Sequence, residues 1–285
     1  MTALLNLPLG EITALALATG VIALFYALYR SMKRVKQQRI SDNLDQLKLL
    51  RLLLADLQRH RGLSTGLLSG DQSLRADVAS VRARVDQSIA QVQSLRTNYP
   101  QEWKNLVTQW NALRNETGRD SESNMLDHHR LIRDTIFLIE DISAEVDLAD
   151  GRQELGYLIC IWHEVVQTTE WSGQARALGT GIAAAQKSSA AQRVRLRFLH
   201  QKIEQLSKTA FTTLQQSFSS RERVAQCQTA VEGFLHCINR ELLSNDKPKI
   251  EAKHYFDQAT NAINELLALV DTALSDLQQV HQKSR

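Results

Sequence analysis

The sequence predicts an all-α protein, an apolar N-terminal helix followed by antiparallel helical bundles. Three observations predict it. Only 3 prolines and 12 glycines occur in 285 residues, and aromatics make up 6%, the composition of long helices. No run alternates β-branched and aromatic residues with polar ones between turn residues, so no sheet is expected. And Leu47, Leu50, Leu54 and Leu57 step by 3, 4 and 3, an apolar seam of helical period.

The first element is ITALALATGVIALFYALY, Ile12 to Tyr29, without a charge and long enough to span a bilayer. A secretory signal would carry positive charge ahead of the apolar stretch. Here the leader MTALLNLPLGE has Glu11 and no Lys or Arg, and the basic residues follow: Arg30, Lys33, Arg34, Lys36 and Arg39. The positive-inside rule then puts the C-terminal side in the cytoplasm. The expected division is a short non-cytoplasmic tail (1–11), a transmembrane anchor (12–29), a basic juxtamembrane segment (30–39) and a helical body (40–285). The leucine seam continues out of the anchor, which makes a homodimer plausible.

Further helices are expected over about 73–96, from Gln101 to near GRDSES (118–123), over 124–148, and from about Arg152 into EWSGQARALGTG. Asn-Tyr-Pro at 98–100 ends one of them, because the residue before proline avoids the helical region. Ser and Asp of GRDSES suit the N-cap of the next, and Ala-Asp-Gly at 149–151 ends it. The pattern resumes over 188–243, with a possible interruption near Gly233. It turns at SNDKP (244–248) and runs from about Ile250 to the end. Long helices joined by short loops pack as antiparallel bundles.

Gln58 to Gly70 reads QRHRGLSTGLLSG and puts glycines inside a strong helix, where each costs about 1 kcal/mol relative to alanine. Either the helix breaks there or something uses the gap in side-chain cover. The motif has an echo. RHRGLSTG at 59–66 and QARALGTG at 174–181 share Arg61/Arg176, Leu63/Leu178, Thr65/Thr180 and Gly66/Gly181 at an offset of 115. Each copy sets an arginine before a cluster of small residues. Arginine offers five donors in a planar fork and stays charged. Two forks converging from two halves make a cationic pocket suited to a small planar oxyanion such as nitrate. A helix restarting at the glycines would add free backbone N–H groups. Two arginines close together repel and pay desolvation, so an anion would favour a closed arrangement over an open one.

These residues resemble a known family. QRHRGLSTGLLSG is similar to the first signature of nitrate- and nitrite-sensing (NIT) domains, GQARALGTG to the second, and YFDQATNAINELLAL (255–269) to the family's closing helix. The resemblance covers about residues 40–280. It implies two four-helix bundles, so the fold expected is an N-terminal transmembrane helix followed by two antiparallel four-helix-bundle-like halves. It also implies nitrate or nitrite held between helices by arginines: by position Arg59, Arg61 and Arg176, with Gly62, Trp171, Thr65 and Thr180 as candidate pocket wall. Gln174 stands where the echo would need a second arginine opposite Arg59, which leaves the pocket's charge open. NIT domains usually adjoin an output module. None is seen here, so the message of a sensor anchored in the bacterial inner membrane would pass to an unidentified signalling protein or back through the anchor. The alternative is a membrane-tethered helical scaffold without a ligand, its glycines serving helix packing.

Other chemistry finds little support. A net charge of +3 does not argue for nucleic acid. Cys160, Cys227 and Cys237 are odd in number and without a C-x-x-C spacing, which reads as reduced and intracellular. Adjacent His128 and His129 point to different faces, and no H-E-x-x-H occurs, so no metal and no cofactor are expected. His60, between two arginines, is expected to face solvent or to tune the site. Trp103, Trp110 and Trp162 read as core. RVRLRF (193–198) fans its arginines around a helix as a solvated face. No triad, carboxylate pair or nucleotide motif points to an enzyme.

Overall fold

A computed structural model of the chain describes residues 9–115, 118, 120–150, 155–244 and 247–283. Every regular element among the described residues is helical, and no strand occurs among them.

Helix α1 (Leu9–Leu68) is a single helix of 60 residues, about 90 Å long at 1.5 Å per residue. Its first part is long and apolar enough to cross a membrane, by length and composition, and none of that span is buried in the protein. Leu15, Leu17, Phe25, Tyr29 and Met32 are all exposed. From Ile40 onward the same helix turns its seam inward, and Leu44, Leu47, Leu50, Leu54 and Leu57 are buried. One helix therefore carries both the apolar span and part of the body's core.

The first half of the body is the lower part of α1 with α2 (Arg75–Gln91), α3 (Pro100–Asn115) and α4 (Ser121–Asp150). In it α1 packs on α2 and α4, and α3 on α4. The second half begins with the short α5 (Leu158–Cys160), which runs through a π-helical turn (Ile161–Val165) into α6 (Val166–Ala185). It continues with α7 (Ala190–Ser217), α8 (Arg221–Cys237) and α9 (Ala252–Lys283). Here α6 lies on α7 and α9, and α8 on α7 and α9. Among the described residues four long helices thus make each half, as expected, with the short α5 leading into α6, and α1 meets α9 and α6 where the halves join. One apolar cluster runs through both.

The local signals mostly act as the sequence implies. Pro100 opens α3. Asp120 accepts from the Ser123 amide at 2.7 Å ahead of α4. Ser189 and Gln192 form a reciprocal capping box at α7, satisfying two otherwise orphan donors. The stretch 188–243, expected as one helix, is two. Phe218 adopts extended backbone, and Ser220 then caps α8 by accepting from the Arg223 amide. Phe218 is buried edge-on against Tyr157 at 5.0 Å, so the break both plugs the core and uses serine's preference for caps over helix interiors. Gly233 interrupts nothing; it lies inside α8. Residues 1–8 of the expected tail, Arg119 of GRDSES, Gly151 of the expected Ala-Asp-Gly stop, Arg152 at the expected start of the fifth helix, Asn245 and Asp246 of the expected turn, and the final two residues lie outside the described residues.

Just below the apolar span, α1 is tied to α4. Arg39 donates from Nε and Nη2 to the Glu145 carboxylate at 3.3 and 3.2 Å, and Asn43 adds a bond at 3.1 Å. One turn further on, buried Gln46 accepts from the Trp103 indole at 3.0 Å.

Candidate functional site

The opening glycine motif does not break its helix at Gly62 or Gly66: α1 runs through both and ends at Leu68, where Gly70 turns the chain with a φ of 112°. The second motif lies equally inside α6. The free N–H groups of a restarting helix are therefore not available at Gly62, Gly66 or the second motif. What the small residues provide is close approach. A Cβ at Gly173 would stand 2.8 Å from Arg61 Nη2, so the guanidinium lies in the space a side chain would fill. A Cβ at Gly179 would fall inside the phenol of Tyr255, whose hydroxyl donates to the Ala175 carbonyl at 2.9 Å. These two glycines are on α6, and both serve the contact of α6 with its neighbours.

Both arginines of the echo are buried, Arg61 at 1% exposure and Arg176 at 7%. Arg61 donates from Nη1 to Glu170 Oε1 at 2.5 Å. The same carboxylate accepts from Gln58 Nε2 at 3.1 Å and from Gln174 Nε2 at 2.9 Å. Glu170 is itself 6% exposed and was not singled out from the sequence. Arg61 Nε and Nη2 are buried without a protein partner. They form the side-on edge of the fork, the pair of parallel N–H groups that takes an oxyanion in bidentate fashion.

Arg176 donates from Nη1 to Thr260 Oγ1 at 3.0 Å and lies 4.9 Å over the Phe256 ring, both on α9. Burial lowers its pKa to about 10, and the nearby charges of Arg61 and Arg59 add to the effect, while Glu170 and Tyr255 oppose it. It is still charged at neutral pH. The two echo arginines thus feel each other across the α1–α6 contact, and the opposite charge of Glu170 acts against that repulsion. The buried sum is +1: two guanidinium groups less one carboxylate.

The remaining candidates are dispersed. Arg59 is exposed and acts on the site through its field. Gly62 is half-buried, with open space where its Cβ would be. Thr65 accepts from Asn124 Nδ2 at 3.0 Å, tying α1 to α4. Thr180 Oγ1 is buried without a protein partner. Trp171 packs on α7, where Phe198 meets it edge-on at 5.8 Å.

His60 corrects the expectation of a solvent-facing side chain. It is buried against the Trp110 ring, with centroids 5.0 Å apart, and its Nδ1 lies 2.8 Å from His128 Nε2. His128 Nδ1 in turn donates to the Asn124 carbonyl at 2.7 Å. A carbonyl only accepts, so His128 Nε2 carries the lone pair and His60 Nδ1 the proton. Burial, with Arg82 rather than its own neighbours in sequence, lowers the His60 pKa to about 4. His129 points elsewhere, as expected, into the field of Arg61 and Glu170, and burial lowers it to about 4 as well. Arg195 of RVRLRF is not merely solvated; its Nη2 donates to Gln174 Oε1 at 3.0 Å, bracing the second motif from α7. No cluster of three or more His, Cys, Asp or Glu able to hold a metal occurs among the described residues.

The body is thus all-helical, with Arg61 of α1 and Arg176 of α6 both buried where the two halves join. The model of the nitrate and nitrite sensing family matches residues 52–278, and the chain belongs to that family, NIT. Among solved structures it is similar to the NasR transcription antiterminator, with a TM-score of 0.67, over 92% of this chain and 74% of that one, at 19% identity; at that identity the likeness concerns the fold. No curated protein matches the chain.

Proposed function

We propose that this chain is a membrane-anchored sensor that binds nitrate or nitrite between α1 and α6, through the Nε–Nη2 edge of Arg61 with Arg176 supplying the second positive charge. The observation that carries this is the pair of buried Arg61 donors without a protein partner, since buried donors left unmade cost about 1–3 kcal/mol each. Nitrate presents two coplanar oxygens to such an edge, and nitrite does the same. Arg59 adds long-range attraction from the surface, and Thr180 supplies a further buried hydroxyl nearby in the second motif.

Residues 40–285 form the sensing body and 12–29 the span, with the basic segment 30–39 between them. The basic flank favours a cytoplasmic body beneath a bacterial inner membrane. Arg61 and Tyr29 are on one uninterrupted helix, about 48 Å apart at the helical rise. Drawing Arg61 towards Arg176 would therefore bear on α1 as a rigid rod, and the Arg39–Glu145 contact passes the load to α4. A separate signalling protein, or a second copy through α1, would read that change.

The test is calorimetry on the full chain in detergent. Nitrate or nitrite is expected to bind, and Arg61→Lys, which keeps the charge but loses the fork, is expected to weaken it at least about tenfold. Equal affinity in the variant would remove Arg61 from the site. The rival reading, a tethered scaffold without a ligand, is favoured by the Arg61–Glu170 pair, which partly satisfies Arg61 internally. It predicts no thermal shift with either anion.

A further inference from the structure

We infer that Glu170 is the charge-selecting residue of this site, holding the buried sum at +1 so that a monovalent oxyanion is accepted and a divalent one refused. The inference rests on the anion-site reading above and adds to it the residue that sets ligand charge. Glu170 is the meeting point of the two motifs. It accepts from Gln58 and Arg61 of the first and from Gln174 of the second, three donors and no acceptor, the pattern of an ionised carboxylate. It takes only the Nη1 arm of Arg61 and leaves the Nε–Nη2 edge unspent. The two oxyanions would then sit side by side on one guanidinium, the first built in and the second a ligand.

Charge decides what that second anion is. Arg61 and Arg176 contribute two positive charges and Glu170 one negative, all with less than a tenth of their surface exposed. A monoanion brings the buried sum to zero. A dianion such as sulfate brings it to −1 and faces the Glu170 carboxylate across the shared fork. Uncompensated buried charge and close like charges are both costly at low dielectric, and rejection by such a repulsive element is a common source of specificity. The amides of Gln58 and Gln174 hold the carboxylate in place, so it cannot swing away to admit the larger charge without losing two hydrogen bonds.

The experiment is titration of the full chain in detergent with sodium nitrate and sodium sulfate at constant ionic strength, read by calorimetry and thermal shift. Wild type is expected to bind nitrate in preference to sulfate. Glu170→Gln, which raises the buried sum to +2, is expected to gain sulfate binding and shift the nitrate-to-sulfate preference by about tenfold or more. Glu170→Asp keeps the charge and is expected to keep the wild-type preference. Wild type binding sulfate as well as nitrate overturns the assignment, and so does Glu170→Gln binding nitrate with its preference unmoved. Should Glu170→Gln not fold, Gln174→Glu adds a negative charge beside Glu170 and is expected to weaken nitrate about tenfold; unaltered affinity there overturns the assignment too. Wild-type nitrate binding with unmoved selectivity removes Glu170 alone, whereas no anion binding in any form of the protein removes the site itself.

Discussion

Gly173 on α6 and Arg61 on α1 occupy one another's space: a Cβ on the glycine would stand 2.8 Å from Nη2 of the arginine. The fork is held in place, its Nη1 bonded to Glu170 and its side chain buried. Gly173→Ala is therefore expected to lose about 1–3 kcal/mol of stability by overpacking and to weaken nitrate binding along with it. Gly62→Ala is the contrast. Nothing lies within 4 Å of its would-be Cβ, so the substitution should gain up to about 1 kcal/mol from helix propensity. Thermal unfolding of the two variants side by side checks both.

The Arg61–Glu170 pair is expected to dominate the response of the body to mutation. Arg61→Met strips the main partner from a buried carboxylate, and breaking one side of such a pair costs about 3–5 kcal/mol. Removing both charges together, as Arg61→Met with Glu170→Gln, should recover most of that loss. Urea unfolding of the two single variants and the double closes the cycle. A double variant no more stable than Arg61→Met would mean that the pair is not coupled.

How far this site could be read in advance follows from what a sequence repeats. Arg61 and Arg176 were legible because they recur at one offset with small residues after them, and the leucine seam of α1 because its period is local. Glu170 was not. It has no counterpart in the first motif, and its importance comes from a carboxylate meeting Arg61 across 109 residues of chain. The continuity of α1 through Gly62 and Gly66 was equally hidden. Propensity alone disfavours glycine there by about 1 kcal/mol each, and packing along a 60-residue helix overrides it. Burial of His60 depended on Trp110 and His128 from two other helices, which no window around residue 60 contains. The break at Phe218 was masked by helical pattern on both sides and by the absence of Gly or Pro.

The three cysteines should behave as packing groups. Burial raises the Cys160 thiol to about 12 and Cys237 to about 11, and pushes Cys227 up as well. The thiolate is the reactive form, so labelling by a maleimide or Ellman-type reagent at pH 8 is expected to be slow in the native protein and to reach all three thiols once it is unfolded. Fast stoichiometric labelling of any one in the folded state would show that its helix opens.

Acid should weaken the fold before any carboxylate has to be invoked. His60 is neutral where it sits, buried between Trp110 and His128, and its pKa falls from 6.5 to about 4. In the unfolded chain it takes up a proton below about 6.5; in the folded protein it does so only near 4. The unfolded state therefore binds more protons throughout that interval, and stability must fall as pH drops across it. The contribution is intact above about pH 6.5, declines steadily below, and is spent near pH 4. At about 1.4 kcal/mol per pH unit the whole interval amounts to roughly 3 kcal/mol from His60. His129, also lowered to about 4 by burial and by Arg61, acts in the same direction, with a smaller share because it is only half-buried. The measurement is Tm against pH from 7.5 to 4.5 for wild type and His60→Phe. The variant keeps a ring against Trp110 but has no proton to gain, so it should start less stable at pH 7.5, where His128 has lost its donor, and decline less steeply. Parallel curves would mean that His60 takes up its proton at the ordinary value in the folded protein.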